Sequence, residues 1–287
     1  MRENFKKAFA NDFIVLFISL FVMYLFTTRY ELSFQYVIIL TTIPEIAAIC
    51  IFIIRKRSKC KMLIKYIFNN SLEFYKWKEL IESWAYGKWL LFSSLSSYIL
   101  QYAQILILPI YLPFTTLAGY KAIQIFAQPI QVVTNGIEGY MLSHGNSVYK
   151  KSGLHFLSIF LYRMMMVNTL IFIGYTFLVS VFSRRIIELL YGNKYNEYYF
   201  LISIFCITFI IMFLVRMIGS GLLVLGDTKK IFYVFLIGGV FNLIFLFSTI
   251  EYFQLLGAAL SNLVANIIIL GILMLYWINR NIIKNHE

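Results

Sequence analysis

The chain has 287 residues, 61% of them hydrophobic and 13% charged, with a formal net charge of +12. A soluble domain carries roughly 25% charge, so the composition excludes an ordinary water-soluble fold and points to an all-α, polytopic membrane helix bundle. No phosphate-binding loop, metal motif or catalytic triad pattern is present, so no cofactor and no catalytic residue is implied.

A bilayer crossing needs roughly 20 apolar residues, and about eight such spans follow one another: 10–28, 34–54, 88–111, 118–142, 154–182, 199–225, 231–250 and 254–277. The first begins at a basic N-terminus (Arg2, Lys6, Lys7), as a signal peptide would. FTTRYELS after it has no small-residue cleavage pattern, so it reads as a retained anchor. The basic runs RKRSKCK (55–61), YKK (149–151), DTKK (227–230) and NRNIIK (279–284) all fall on one side of an eight-span arrangement. The positive-inside rule places that side, and both termini, in the cytoplasm. A basic balance of this form reports topology and does not indicate nucleic acid. Three units follow: two transmembrane helices in 1–54, a cytoplasmic amphipathic linker over 55–87, and a six-helix transmembrane bundle with a short tail over 88–287. Cys50 and Cys206 lie inside spans and Cys60 in the linker, which implies no disulfide framework.

Three ionisable groups and a proline mark the second, fifth and sixth spans. Glu45 follows Pro44 in the second span. Arg163 in the fifth span and Arg216 in the sixth lie at about the same depth as Glu45, roughly 13 Å from the cytoplasmic end. Equal depth allows a Glu45–arginine ion pair. Two arginines against one carboxylate still leave a positive surplus, and a guanidinium grips phosphate bidentately. The expectation is a cationic cavity for an anionic, phosphate-bearing substrate.

The fourth span carries the densest polar signal. In KAIQIFAQPIQVVTNGIE (121–138), Lys121, Gln124, Gln128, Gln131, Asn135 and Glu138 recur every three or four residues, one face of a helix. Lys121 and Glu138 sit near opposite ends, about 25 Å apart, and cannot pair. The glutamines between them have no interface to reach and must face other helices or water. Ser94, Ser97, Gln101 and Gln104 form a matching stripe on the third span, joined to the fourth by the short loop YLPFTTLAG. The pair of stripes predicts a hydrated cavity wall, with interhelical hydrogen bonding as the alternative. Pro129 removes a backbone donor in mid-stripe, which a membrane helix tolerates where neighbours satisfy the freed carbonyl. Glu45 and Glu138 are candidates for coupling to an ion.

Several segments carry a resemblance. YGKWLLFSSLSSYI (86–99), LAGYKAIQIFAQP (117–129), ELLYGNKYNEYYFLISIFCI (188–207) and LLVLGDTKKIFYVFLIGGVFNLIFLFSTIEYFQLLGAALSNLVANI (222–267) are similar, in order and spacing, to the O-antigen and polysaccharide flippases. These belong to the multidrug/oligosaccharidyl-lipid/polysaccharide exporter superfamily. The third segment resembles an external loop and the next helix. The fourth carries a short cytoplasmic turn (Gly226, Lys229, Lys230), Asn242, and Gly257, Ala258 and Ala259 after an external loop. The chain departs from the pattern at Gln104, where the family often has aspartate. The resemblance implies a non-enzymatic translocator of an undecaprenyl-pyrophosphate-linked oligosaccharide across the bacterial inner membrane. Such a protein serves surface polysaccharide or lipopolysaccharide O-antigen synthesis, with membrane lipid and other polysaccharide assembly proteins as partners. It also implies two six-helix bundles, of which 88–287 would be the second and 1–54 the end of the first, about four helices fewer than usual. The alternatives are a truncated non-functional remnant of such a gene and a membrane glycan polymerase or ligase acting from its external loop.

Overall fold

The structure, a computed structural model, describes residues 77–285, and everything below lies in the compact unit Ile81–Glu287, apart from the first residues of one helix. The elements are helices: α1 Trp77–Tyr111, α2 Phe114–Gln124, α3 Gln128–Tyr191, α4 Leu201–Val224 and α5 Thr228–Asn285. Short 3₁₀ turns, Ile125–Ala127 and Gly192–Tyr198, precede α3 and α4. Four of the described helical segments are long and apolar enough to cross a membrane.

α3 and α5 are each folded back on themselves. In α3 the backbone leaves helical geometry at Gly153, and contacts straddling it show an antiparallel hairpin. Tyr140 and His144 meet Phe160, and Tyr175 reaches Phe126. In α5 the break is at Gln254, and Asp227 at one end of the hairpin pairs with Arg280 at the other. We label the limbs α3a (128–152), α3b (154–191), α5a (228–253) and α5b (255–285).

The sequence places the basic clusters at one end of the spans, and the reversals agree with that grouping. Gly153 lies beside YKK, and Gly226 beside DTKK. The α4–α5 reversal has a clear local cause. Gly226 adopts φ 82°, and its N–H and that of Asp227 donate to Leu223 O and Leu222 O at 3.0 Å each. This is a Schellman stop, which needs a residue free to take left-handed backbone at that position.

α4 is the central helix. It is the most apolar of the four membrane-length segments, and its most apolar stretch is 61% buried, against 6% for the most apolar stretch within α2–α3. A helix apolar on nearly every face belongs in a core. One cluster of buried residues joins α4 to α2, α3 and the α5 turn through Tyr120, Ile130, Phe172, Phe213 and Leu246. A second joins it to α1 and α5 through Leu100, Val215, Val234 and Ile269. α1 runs parallel to α5a. Trp89 packs on Phe232 and Tyr111 on Phe247, and between them Asn242 donates to Leu100 O at 3.2 Å.

Two boundaries differ from the sequence reading. The part of the expected linker at 77–87 is continuous with the span that follows, because WKELIESWAYG contains no proline and runs straight into α1. α3a continues to 152 rather than ending near 142, since HGNSVYKK keeps helical geometry up to Gly153. Glu138 therefore sits about 20 Å along the helix axis from that break and not at a helix end.

Past Gln254, the two limbs of α5 approach closely at Gly257. A Cβ there would lie 2.8 Å from Thr249 O, a backbone atom that cannot turn away. Gly257→Ala is expected to lower stability by roughly 1–3 kcal/mol. Gly271→Ala, where a Cβ meets nothing within 4 Å, should be neutral or slightly stabilising. Thermal unfolding of both variants in detergent checks this.

A polar groove along the central helix

Each limb contributes its polar face by helical spacing. Arg216 is the sole charged residue in the sequence of α4. On the same face, at intervals of four, stand Thr208, Met212 and Ser220. α3a lies alongside, parallel to α4, and Arg216 donates to Asn135 Oδ1 and to Glu138 Oε2, the latter at 3.3 Å. The two side chains of the ion pair are 19% and 30% exposed, deep enough that neither charge is left to water alone.

Three adjoining cavities follow this face of α4. The first, about 110 Å³, is walled by Gln101, Lys121, Gln124, Gln128 and Gln131, with Thr208 and Asn262. The second, about 240 Å³, shares Gln101 and Met212 with the first and contains Glu138, Arg216, Ser94, Ser97, Ser220 and Asn266. The third, about 520 Å³, shares Leu90 and Leu223 with the second and opens toward the end that carries the basic clusters, between Tyr86, Leu142 and Asn146. From Phe205 to Val224 the run covers about 28 Å of helix axis, close to the thickness of a bilayer's hydrocarbon. Its lining carries Lys121 and Arg216 against Glu138, a surplus of one positive charge.

The glutamine stripe is thus brought to one wall. Lys121, Gln124 and Gln131 are half-buried and Gln128 exposed, and Lys121 Nζ donates to Gln124 Oε1 at 2.6 Å. Lys121 and Glu138 each have their own partner and do not pair with each other. Ser94, Ser97 and Gln101 of α1 face the same space.

Three expectations from the sequence fare differently. Gln104 is not part of the wall. It is 2% exposed, donating to Ala258 O at 2.6 Å and to Ser261 Oγ at 3.1 Å and accepting from Tyr120 at 2.7 Å. One turn beyond Gln101, its amide is spent on a dry junction of α1, α2 and α5b. Arg163 is exposed on α3b and lines none of the three cavities, so it does not join Arg216. The sequence measured depth but not azimuth, and α3b turns Arg163 outward. Glu45 lies outside the described residues, and the carboxylate that serves Arg216 is Glu138.

Thr208, Ser220, Asn262 and Asn266 belong to the groove without having been singled out. Their signal was available: Thr208 falls eight residues before Arg216 and Ser220 four after it, on its face, and Asn262 and Asn266 are four apart. Asn266 donates to Asn262 O and Oδ1 at 2.8 and 2.7 Å, so this pair is held in one orientation.

Pro129 causes no sharp break. The chain tightens into 3₁₀ geometry over Ile125–Ala127, where Gln128 N–H reaches Ile125 O. Phe126 O accepts the Tyr175 hydroxyl from α3b at 2.6 Å. The carbonyl that Pro129 would have met, Ile125 O, is thus served by Gln128 N–H, and the Tyr175 hydroxyl serves the next one, so neither is left bare.

Among known proteins, no family model, no curated protein and no solved structure matches this chain.

Two measurements follow. Tyr175→Phe is expected to destabilise by about 0.6–1.7 kcal/mol, the usual worth of an interhelical hydrogen bond in a membrane protein, while leaving helix content unchanged by circular dichroism. A double-mutant cycle of Arg216→Gln and Glu138→Gln should return a coupling of about 1–3 kcal/mol by detergent-unfolding equilibria. A coupling near zero would mean the pair is not formed.

Proposed function

We propose that this protein moves a lipid-pyrophosphate-linked oligosaccharide across the bacterial inner membrane, for surface polysaccharide or O-antigen synthesis. One observation carries the reading: a groove about 28 Å long, in which amides, Lys121, Arg216 and Glu138 stand among apolar side chains, runs beside the central helix of the bundle. A glycan offers many hydroxyls in place of water, and amide side chains can donate to and accept from them. In this reading Gln101, Gln124, Gln128 and Gln131 form the sugar track. Arg216 meets the pyrophosphate in competition with Glu138, and the lipid tail stays in the bilayer. Arg163 is dropped from the phosphate grip because it faces away.

The eight-span topology, with both termini cytoplasmic, belongs to the same proposal. Its support is the gathering of basic residues at one end of the bundle. The likeness of 86–267 to polysaccharide flippases, described above, supplies the cargo; the groove supplies only its polarity. A polymerase or ligase acting from the loop near 184–198 gains less support. Arg184 and Glu188 pair at 3.2 Å, and Asn196 donates to the same carboxylate oxygen. Those groups cap a helix end together, which leaves them poorly arranged for acid–base chemistry on a glycan.

The test places single cysteines at 124, 128, 131 and 104 in a variant lacking the native cysteines, and treats both intact cells and inverted membrane vesicles with a membrane-impermeant thiol reagent, so that each side of the membrane is exposed to it. The expected result is labelling at 124, 128 and 131 and none at 104. If all three groove positions stay unlabelled while lipid-phase probes react, the groove is not a wet passage and the proposal fails. In cells dependent on this chain for surface glycan, Arg216→Gln should lower glycan export by about tenfold or more, as loss of a charge-assisted contact of roughly 1.5–3 kcal/mol would. Arg163→Gln should leave export near the parental level.

A further inference from the structure

We infer a second binding site, independent of the transport reading: the foot of the seam between α1 and α5a holds the phosphate headgroup of an anionic membrane lipid. Lys88 Nζ of α1 lies 5.6 Å and Lys229 Nζ of α5a 5.4 Å from the centroid of the Trp89 ring. One indole thus gathers two ammonium groups. Among the described residues no carboxylate forms an ion pair with either. The contrast is immediate neighbours: Lys230 and Arg280 are both met by Asp227, at 3.4 and 3.5 Å. The ring attracts each cation through its π face but adds no negative charge, so the two like charges still repel. An anion seated between them relieves that repulsion.

The surface above the lysines selects the kind of anion. Lys88 is followed at helical spacing by Phe92, Leu95 and Ile99, all exposed. Lys229 is followed by Phe232 and then by the exposed Leu236 and Val240. The two helices run in parallel, so their apolar stripes rise side by side from the charged foot. From residue 88 to residue 99 the stripe covers about 16 Å, close to half the roughly 30 Å hydrocarbon core. An indole at the foot of such a stripe fits a headgroup-level anchor. Two cations beneath a one-leaflet apolar track match a lipid, with its phosphate below and its acyl chain above. A free phosphate would use only the cations.

The full chain, purified in mild detergent and examined by native mass spectrometry, tests this with phosphatidylglycerol and phosphatidylcholine as probes. The parental protein should retain phosphatidylglycerol in preference. Lys88→Gln with Lys229→Gln should lower that retention by about thirtyfold, the effect of losing two lysine–headgroup attractions, with phosphatidylcholine unaffected. Lys88→Arg with Lys229→Arg should keep it, which separates loss of charge from loss of fold. Excess inorganic phosphate should fail to displace the lipid. Equal retention of the two lipids by the parental protein would overturn the site. So would displacement by inorganic phosphate alone, or an equal loss on Lys150→Gln with Lys151→Gln, exposed lysines at the same end, which would mean a diffuse basic surface.

Discussion

A guanidinium in the middle of the most apolar helix is the constraint around which the bundle is arranged. α4 is buried because it is apolar on all but one narrow face, and Arg216, on that face, is carried inward with it. An ionised group at that depth must find hydrogen-bonding partners or water. Asn135 and Glu138, three residues apart on α3a, supply them. Meeting Arg216 sets the register of α3a against α4, and with it the position of the polar face that runs from Lys121 to Glu138. The groove is the space left where that face, the serines of α1 and the asparagines of α5b look toward one another without closing.

The same physics divides the amides of the bundle into two populations. Gln104 is enclosed with Tyr120, Ser261 and the Ala258 carbonyl, and its donors and acceptor are used within the protein. Gln128, exposed in the groove, and the half-buried Gln131 are left to exchange partners with whatever fills it. The first population ties three helices together, and the second provides a surface that adapts to a ligand. The proline of the groove wall belongs to the structural side of this division. Its lost donor is made good by the Gln128 N–H in the tightened turn, with Tyr175 serving the neighbouring carbonyl, so the wall stays helical past the place where a break was permitted.

The two ends of the bundle also differ in kind. At the end carrying Gly153 and Gly226, lysines and arginines collect, and Asp227 is shared by Lys230 and Arg280 while Trp89 gathers Lys88 and Lys229. At the opposite end, Tyr191 and Tyr195 pack edge to face, and Tyr195 and Tyr198 lie against Gly119. A glutamine in left-handed backbone, Gln254 at φ 47°, turns α5 back. This asymmetry of charge is the physical content of a preferred orientation in a membrane, and the groove runs between its poles.

Much of this was legible in the residues alone. Hydrophobic content made lipid the solvent, runs of apolar residues marked the helices of the described unit, and a three–four rhythm put Lys121 through Glu138 on one face. These are local properties, since a side chain's position around a helix follows from its spacing along the chain. What stands opposite that face is not local. Gln101 and Gln104 share a stripe by spacing, yet packing leaves one in the groove and closes the other among α2 and α5b. Arg163 and Arg216 share a depth, yet only Arg216 turns inward, because depth follows from residue count while azimuth depends on which neighbour each helix packs against. The partner of Arg216 emerged only in three dimensions, since α3a had to extend to Gly153 before Glu138 could lie at the arginine's level.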